Sequence, residues 1–240
     1  MFNATAMFVC TLLSVYLDDG ATEGLLFSAL ITIGIGLLLL LITRNRKREI
    51  KMRDGYLTVV MGWLSMVIFG TLPYLLTQSL VSYSDALFET MSGFTATGAT
   101  IVQDIEALPK SIILWRSLTH WLGGMGIIVL AVAILPLLGI GGVQLFSAEA
   151  TAVGGDKLHP RISYTAKRLW YIYVGFTVLE ALMLVFAGMS VFDAINHSMS
   201  TMASGGFSTK NESLAYWNNS PMIQYTVCLL YTSPSPRDLS

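Results

Sequence analysis

Charge is scarce in this chain. Of its 240 residues only 12% are Asp, Glu, Lys or Arg, while 54% are hydrophobic; an average soluble domain carries roughly 25% charge. That shortage excludes an ordinary water-soluble domain and points to a hydrocarbon solvent. The formal net charge is −1, so nothing points to nucleic acid and no such partner is expected. The two cysteines, Cys10 and Cys228, lie far apart in apolar stretches, which provides neither a disulfide framework nor a CxxC metal site. Both read as small buried hydrophobes. HExxH and nucleophile motifs are missing, so an enzyme is not expected. "GIGG" at 139–142 lacks the third glycine and the preceding strand of a dinucleotide site, and no cofactor is expected. His120 and His159 have no ligand spacing and read as a helix-end and a loop residue.

What is present is apolar length. Crossing about 30 Å of hydrocarbon takes roughly 20 helical residues. Candidate spans are 1–17, 25–42, 56–78, 111–146 and 168–190, with a sixth beginning near Ser220. The segment 111–146 is long for one crossing, and Gly123, Gly124, Gly126 and Pro136 offer places to bend. Glu180, within 168–190, needs a polar neighbour that the sequence does not name.

Ten of the fourteen Lys and Arg residues fall in two loops. Arg44, Arg46, Lys47, Arg48, Lys51 and Arg53 occupy one; Lys157, Arg161, Lys167 and Arg168 occupy the other. The alternate loops carry Asp18, Asp19 and Glu23, then Asp104 and Glu106, then Glu212. The positive-inside rule makes the basic face and the N-terminus cytoplasmic. This count works only if 85–105 and 193–212 enter and leave on the outer side as re-entrant loops.

Those two segments repeat each other. "DALFETMSGFTATGAT" (85–100) and "DAINHSMSTMASGGFS" (193–208) share Asp85/Asp193, Ala86/Ala194, Met91/Met199, Ser92/Ser200 and Gly98/Gly206. Each lies between two spans. Asp85 and Asp193 are expected as helix N-caps. The short helices should end at Gly93–Phe94 and Thr201–Met202, their carbonyl ends carrying partial negative charge to the membrane midplane, where a cation is favoured. Extended segments follow, Thr95-Ala96-Thr97-Gly98 and Ala203-Ser204-Gly205-Gly206. Irregular backbone at that depth survives only if buried in protein or lining an aqueous path, and a row of inward carbonyls can replace an ion's hydration shell. Each segment therefore reads as part of an ion filter that would hold K+ through backbone carbonyls. Glu89 and His197, equivalent in the two short helices, are expected to line or brace the pore vestibule.

The expected domains are a helix pair (1–43), a basic cytoplasmic loop (44–55), a first span–pore–span repeat (56–146), a cytoplasmic loop (147–167), a truncated second repeat (168–227) and an aberrant tail (228–240). The fold class is an all-α polytopic membrane protein: two extra N-terminal helices and two repeats, half of a pseudo-fourfold ion pore.

"FTATGAT", "WRSLTHWLGGMGIIVLAVAILPLLGIGG" (115–142), "DKLHPRI" (156–162) and "MASGGFST" resemble the Trk/Ktr/HKT superfamily of potassium transporters, most closely the bacterial TrkH-type membrane subunit. The resemblance runs from about residue 1 to 226. It implies four repeats around one pore, with one filter glycine each, here Gly98 and Gly206. It also implies K+ uptake across the bacterial cytoplasmic membrane, a homodimer in lipid and a cytosolic nucleotide-binding regulatory subunit. In related plant proteins a Ser at a filter-glycine position marks Na+ preference, so glycine at both positions leans to K+. Two repeats stand where the family has four, and "SPMIQYTVCLLY" runs into "TSPSPRDLS", whose prolines cannot continue a helix normally. A truncated chain is expected, its rival being a half-length protein that assembles as two copies; the alternatives to K+ uptake are a non-conducting membrane fragment or scaffold, or a Na+/K+ cation transporter.

Overall fold

The structure, a computed structural model, describes residues 2–43, 52–134, 158–218 and 220–231. Nine α-helices and no strand occur among them: α1 (Phe2–Leu17), α2 (Thr22–Thr43), α3 (Met52–Gly70), α4 (Leu72–Leu76), α5 (Tyr83–Phe94), α6 (Lys110–Ile134), α7 (Leu158–Phe186), α8 (Val191–Met202) and α9 (Pro221–Tyr231). A 3-10 turn covers Ser213–Trp217. By length and composition Thr22–Thr43, Leu57–Leu76 and Lys167–Phe186 can cross a membrane, and Asn3–Leu17 is a shorter apolar helix.

Polarity runs inside out. Leu37 to Ile42, Tyr171 and Phe186 are exposed, while Glu89, Arg116, His120, Glu180, Asn196 and His197 are buried. Lipid accepts apolar side chains but not unpaired polar ones, so ionisable groups in such a chain turn to the protein interior. Cys10 is buried as expected; Cys228 is exposed, because the outer face of a membrane helix needs only to be apolar.

Three helix boundaries differ from the sequence reading. The span 56–78 breaks between α3 and α4, where Pro73 at the start of α4 lacks an N–H and crowds the preceding turn. At this break the Gly70 carbonyl accepts from Trp115 Nε1 at 3.3 Å. α3 already begins at Met52, inside the loop drawn at 44–55. α7 begins at Leu158, so 158–167 is helical where a loop was drawn; basic residues end a membrane helix as readily as they fill a loop, because their stems reach outward to water. Residues 135–146, including Pro136 and all of "GIGG", the parts 44–51 and 147–157 of the two basic loops, and most of the tail lie outside the described residues.

A core joins α1, α2, α4, α5 and α6 around Met7, Cys10, Leu25, Tyr74, Ala86, Ile112 and Trp115. The turn from α1 to α2 holds this core to the site. Asp19 accepts from Ser14 Oγ, from Ala21 N at 3.3 Å and from Ser111 N at 2.9 Å, so it satisfies an otherwise unpaired N–H in the first turn of α6. Partial burial pushes the Asp19 carboxyl up, but the bonds from Ser14, Ser111 and Ala21 outweigh it and hold its pKa below the ordinary value. On the same face, Asp104 Oδ1 accepts from Asn211 Nδ2 at 2.9 Å, and Lys210 meets Glu106 at 3.4 Å. Loops 18–21, 103–110 and 208–218 thus gather at one end of the molecule.

Candidate functional site

The chain turns back on itself twice. α5 and α8 have 12 residues each, about 18 Å of helix at 1.5 Å per residue, and the loop after each runs back along it. Glu89 of α5 meets Thr100 and Ile101 of the returning loop. In the second unit Ser208 Oγ lies 3.3 Å from His197 Nε2 and Thr209 Oγ1 donates to Asp193 at 2.6 Å.

The N-caps are Ser82 and Ser190, both extended, not Asp85 and Asp193. Asp193 stands three residues in: Ser190 Oγ accepts from its N–H at 3.1 Å and donates to its Oδ2 at 2.7 Å. A serine followed three residues later by an acid is a capping-box arrangement. The helix ends fall at Phe94 and Met202, matching the sequence reading.

The segments beyond are not simply extended. Ala96 N–H bonds Gly93 O at 3.0 Å and Thr97 N–H bonds Ser92 O at 3.0 Å; Ser204 bonds Thr201 O at 2.8 Å and Gly205 bonds Ser200 O at 2.9 Å. Each pair is a Schellman closure, which places the residue after the cap in the left-handed region. Ala96 (φ 53°), Gly98 (φ 75°), Ser204 (φ 57°) and Gly206 (φ 87°) all have positive φ, with Thr97 and Gly205 outside that set; Thr95 and Ala203 both sit at φ −81°. Positive φ therefore recurs at every second residue in both segments. The two lie edge to edge, since a Cβ built on Gly98 would fall 1.8 Å from the Gly205 carbonyl oxygen.

α6 supplies the wall against which both units rest. Residues 115, 116, 119, 120, 123 and 124 recur on one face at helical spacing. Trp115 packs edge-on against Phe94 at 6.5 Å. Thr119 leaves no room for a side chain on Gly93. His120 accepts or donates at Ser200 Oγ over 3.1 Å, stacks on Phe207 at 3.9 Å and backs directly onto Gly205. Gly123 admits the Phe94 carbonyl, where a Cβ would come to 2.0 Å, and Gly124 admits Ala203. One span thus touches the carbonyl ends of both short helices through adjacent glycines.

Residues 25–231 match the family model TrkH, described as a cation transport protein. The chain belongs to the TrkH family. It is 46% identical over 221 residues to the Trk system potassium uptake protein TrkH of Halomonas elongata, covering 91% of this chain and 46% of the relative. Identity to the protein of the same name from Escherichia coli is 44% over 231 residues, 95% of this chain and 47% of the relative. The crystal structure of the potassium transporter TrkH from Vibrio parahaemolyticus superposes with a TM-score of 0.83 at 40% identity, covering 95% of this chain and 45% of that one. The chain spans about half the length of these relatives.

Within this TrkH-family frame the structure brings Gly98, at the end of the segment 95–98, against Gly205 and Gly206 of the segment 203–206. Glu89 and His197 do not line open space. Both are buried behind the returning loops, because a lone ionisable side chain at that depth needs partners more than solvent. His120 is a mid-helix residue and not a helix-end one, and Gly123 and Gly124 are points of close approach where the sequence reading had bends. Glu180 is buried, and neither of its carboxylate oxygens finds a hydrogen-bond partner among the described residues. Arg116 escaped the sequence reading altogether, although an arginine six residues into an apolar helix is itself a signal.

Proposed function

We propose that this chain forms part of the pore of a potassium uptake system in the bacterial cytoplasmic membrane, K+ being selected by backbone carbonyls of 95–98 and 203–206. One observation carries the reading. Two sequence-equivalent segments, each hung on the carbonyl end of a short re-entrant helix, alternate the sign of φ in the same way and pack edge to edge. Alternating handedness lets successive carbonyls turn to one side, and a row of them compensates a dehydrated cation. Helix carbonyl ends add favourable potential for positive charge. The relatives named for potassium uptake favour K+ over Na+ as the cargo.

The same reading gives the chain a cytoplasmic N-terminus, a homodimeric assembly in lipid and regulation by a cytosolic nucleotide-binding subunit. A second reading, that this chain alone does not conduct, has its own support: a Cβ on Gly206 meets nothing within 4 Å among the described residues, whereas Gly98 is covered by Gly205. The pore would then need further segments against Gly206. Growth of K+-uptake-deficient cells on limiting K+ tests both. The chain alone should fail to rescue, and the chain joined to the C-terminal half of a relative should succeed. Gly98→Ser or Gly206→Ser in the joined protein should make uptake more sensitive to Na+, since any side chain there restricts the angles that aim the carbonyls. Unchanged Na+ sensitivity in both variants rejects the filter assignment.

A further inference from the structure

Arg116 is 1% exposed, at the centre of the wall made by α6. Its Nε donates to Glu89 Oε1 at 2.8 Å, and Nη2 lies 2.7 Å from the same oxygen. Nη2 also donates to Thr100 Oγ1 at 3.0 Å, and Nη1 reaches the Ser208 carbonyl at 3.5 Å. The guanidinium carbon sits 4.2 Å from the centre of the Phe207 ring. Glu89 in turn accepts from Thr100 Oγ1 and from Ile101 N at 3.0 Å.

Thr100 and Ser208 are equivalent residues of the two repeats, as are Glu89 and His197. Within each repeat the short helix braces its own loop, Glu89 to Thr100 and His197 to Ser208. Arg116 alone among these residues holds both loops, gripping them at corresponding points. A planar fork with donors in fixed directions suits that task; a lysine, with one rotatable ammonium, does not. Burying the pair costs desolvation, so it adds little net stability over an apolar pair, while removing either partner leaves an uncompensated charge.

We propose that Arg116 is a positioning residue that locks the two loops into one rigid unit and thereby sets discrimination between cations of different size, with Glu89 cancelling its charge so that the permeant ion is not repelled. The proposal rests on the filter reading above. Neither residue touches the ion: Arg116 acts through Thr100, Ser208 and Phe207 on the spacing of the segments that end at Gly98 and Gly206.

Hydrogen exchange in lipid nanodiscs, on the chain joined to the C-terminal half of a relative, first without K+ or Na+ and then in each salt, tests it. Without the ions, R116Q should raise exchange at least tenfold in both 99–104 and 207–211 and leave α1 and α2 unchanged. E89Q should loosen only 99–104, and R116K should fall between wild type and R116Q. Faster exchange confined to the first loop, or spread evenly over the helices, overturns the lock. In wild type, K+ should slow exchange of both segments more than Na+ does, and R116Q should erase that difference; a difference that survives in R116Q overturns the role in discrimination. A wild-type chain that responds to neither ion counts against the filter reading and with it the role in discrimination, while the ion-free comparison still decides the lock.

Discussion

Alanine at Gly98 and alanine at Gly206 should have unequal costs, although the two glycines are sequence equivalents with nearly the same backbone. Both have positive φ, 75° and 87°, so each alanine incurs the left-handed penalty of an L-residue, about 1–2 kcal/mol. Their surroundings differ. The new methyl at position 98 would lie 1.8 Å from the Gly205 oxygen and 3.0 Å from its carbon, far inside the ~3.5 Å at which nonbonded heavy atoms rest. That obstacle is backbone, backed in turn by His120 against Gly205, and cannot rotate aside. Overpacking of this kind adds about 1–3 kcal/mol. At 206 the methyl meets nothing within 4 Å. Gly98→Ala should therefore cost about 2–5 kcal/mol in total and Gly206→Ala about 1–2 kcal/mol. Reversible unfolding of the purified chain in mixed micelles, followed by the fluorescence of its five tryptophans, measures the gap. Equal losses, or a larger loss at 206, would refute the edge-to-edge packing of the two segments and the unequal exposure of their faces.

The glycines of α6 offer a parallel contrast. Gly123→Ala should lose about 2 kcal/mol by overpacking against the Phe94 carbonyl, while Gly126→Ala, whose nearest neighbour is Trp63 at 3.4 Å, should be neutral or gain a few tenths from helix propensity; the same unfolding assay separates them. Asp19→Ala should lose about 1 kcal/mol, in the range of a lost cap. Because its folded pKa lies below the ordinary value, the Asp19 contribution is complete above about pH 4 and lost as pH falls through the depressed value, so the stability gap between wild type and variant should close in acid. Single cysteines at 47 and 106 should label from opposite sides of intact cells, 106 from outside, if the basic loops are cytoplasmic; equal labelling from outside overturns that orientation.

Much of the fold was legible because bilayer thickness fixes span length and lipid forbids stray polar groups. Those rules drew the spans from hydropathy, and the segregation of Lys and Arg into alternate loops made 85–105 and 193–212 return to the face they left. The helix ends at Phe94 and Met202 followed from length, since about ten helical residues cover half the bilayer. The N-caps were misread because Asp85 and Asp193 looked like caps in isolation, whereas "SYSD" and "SVFD" carry the signal one turn earlier. The left-handed turn at Ala96 and Ser204 was hidden for a different reason. Neither residue prefers that conformation; the Schellman closure imposes it, and the cost is borne by the hydrogen bonds that end the helix.

The wall on α6 is where local reading had least purchase. "WRSLTHWLGGMG" sets Arg116, Thr119 and His120 on one helical face, a stripe that marks the side turned to protein but not what that side meets. Its meaning depends on two loops separated by 108 positions, one written before the helix and one after. Only when both are folded back does the order make sense: Arg116 and His120 reach to the loops one helical turn apart, and Gly123 and Gly124, the next turn on, leave room for the ends of α5 and α8. Polar side chains thus stand where the returning loops need bonds, and bare backbone stands where two helix termini need space. The reverse order would put bulky side chains where the ends of α5 and α8 need room and leave Glu89 without its partner, a loss of several kcal/mol by the cost of an unpaired buried ion. The spacing along α6 therefore fixes the depth at which the two loops lie together.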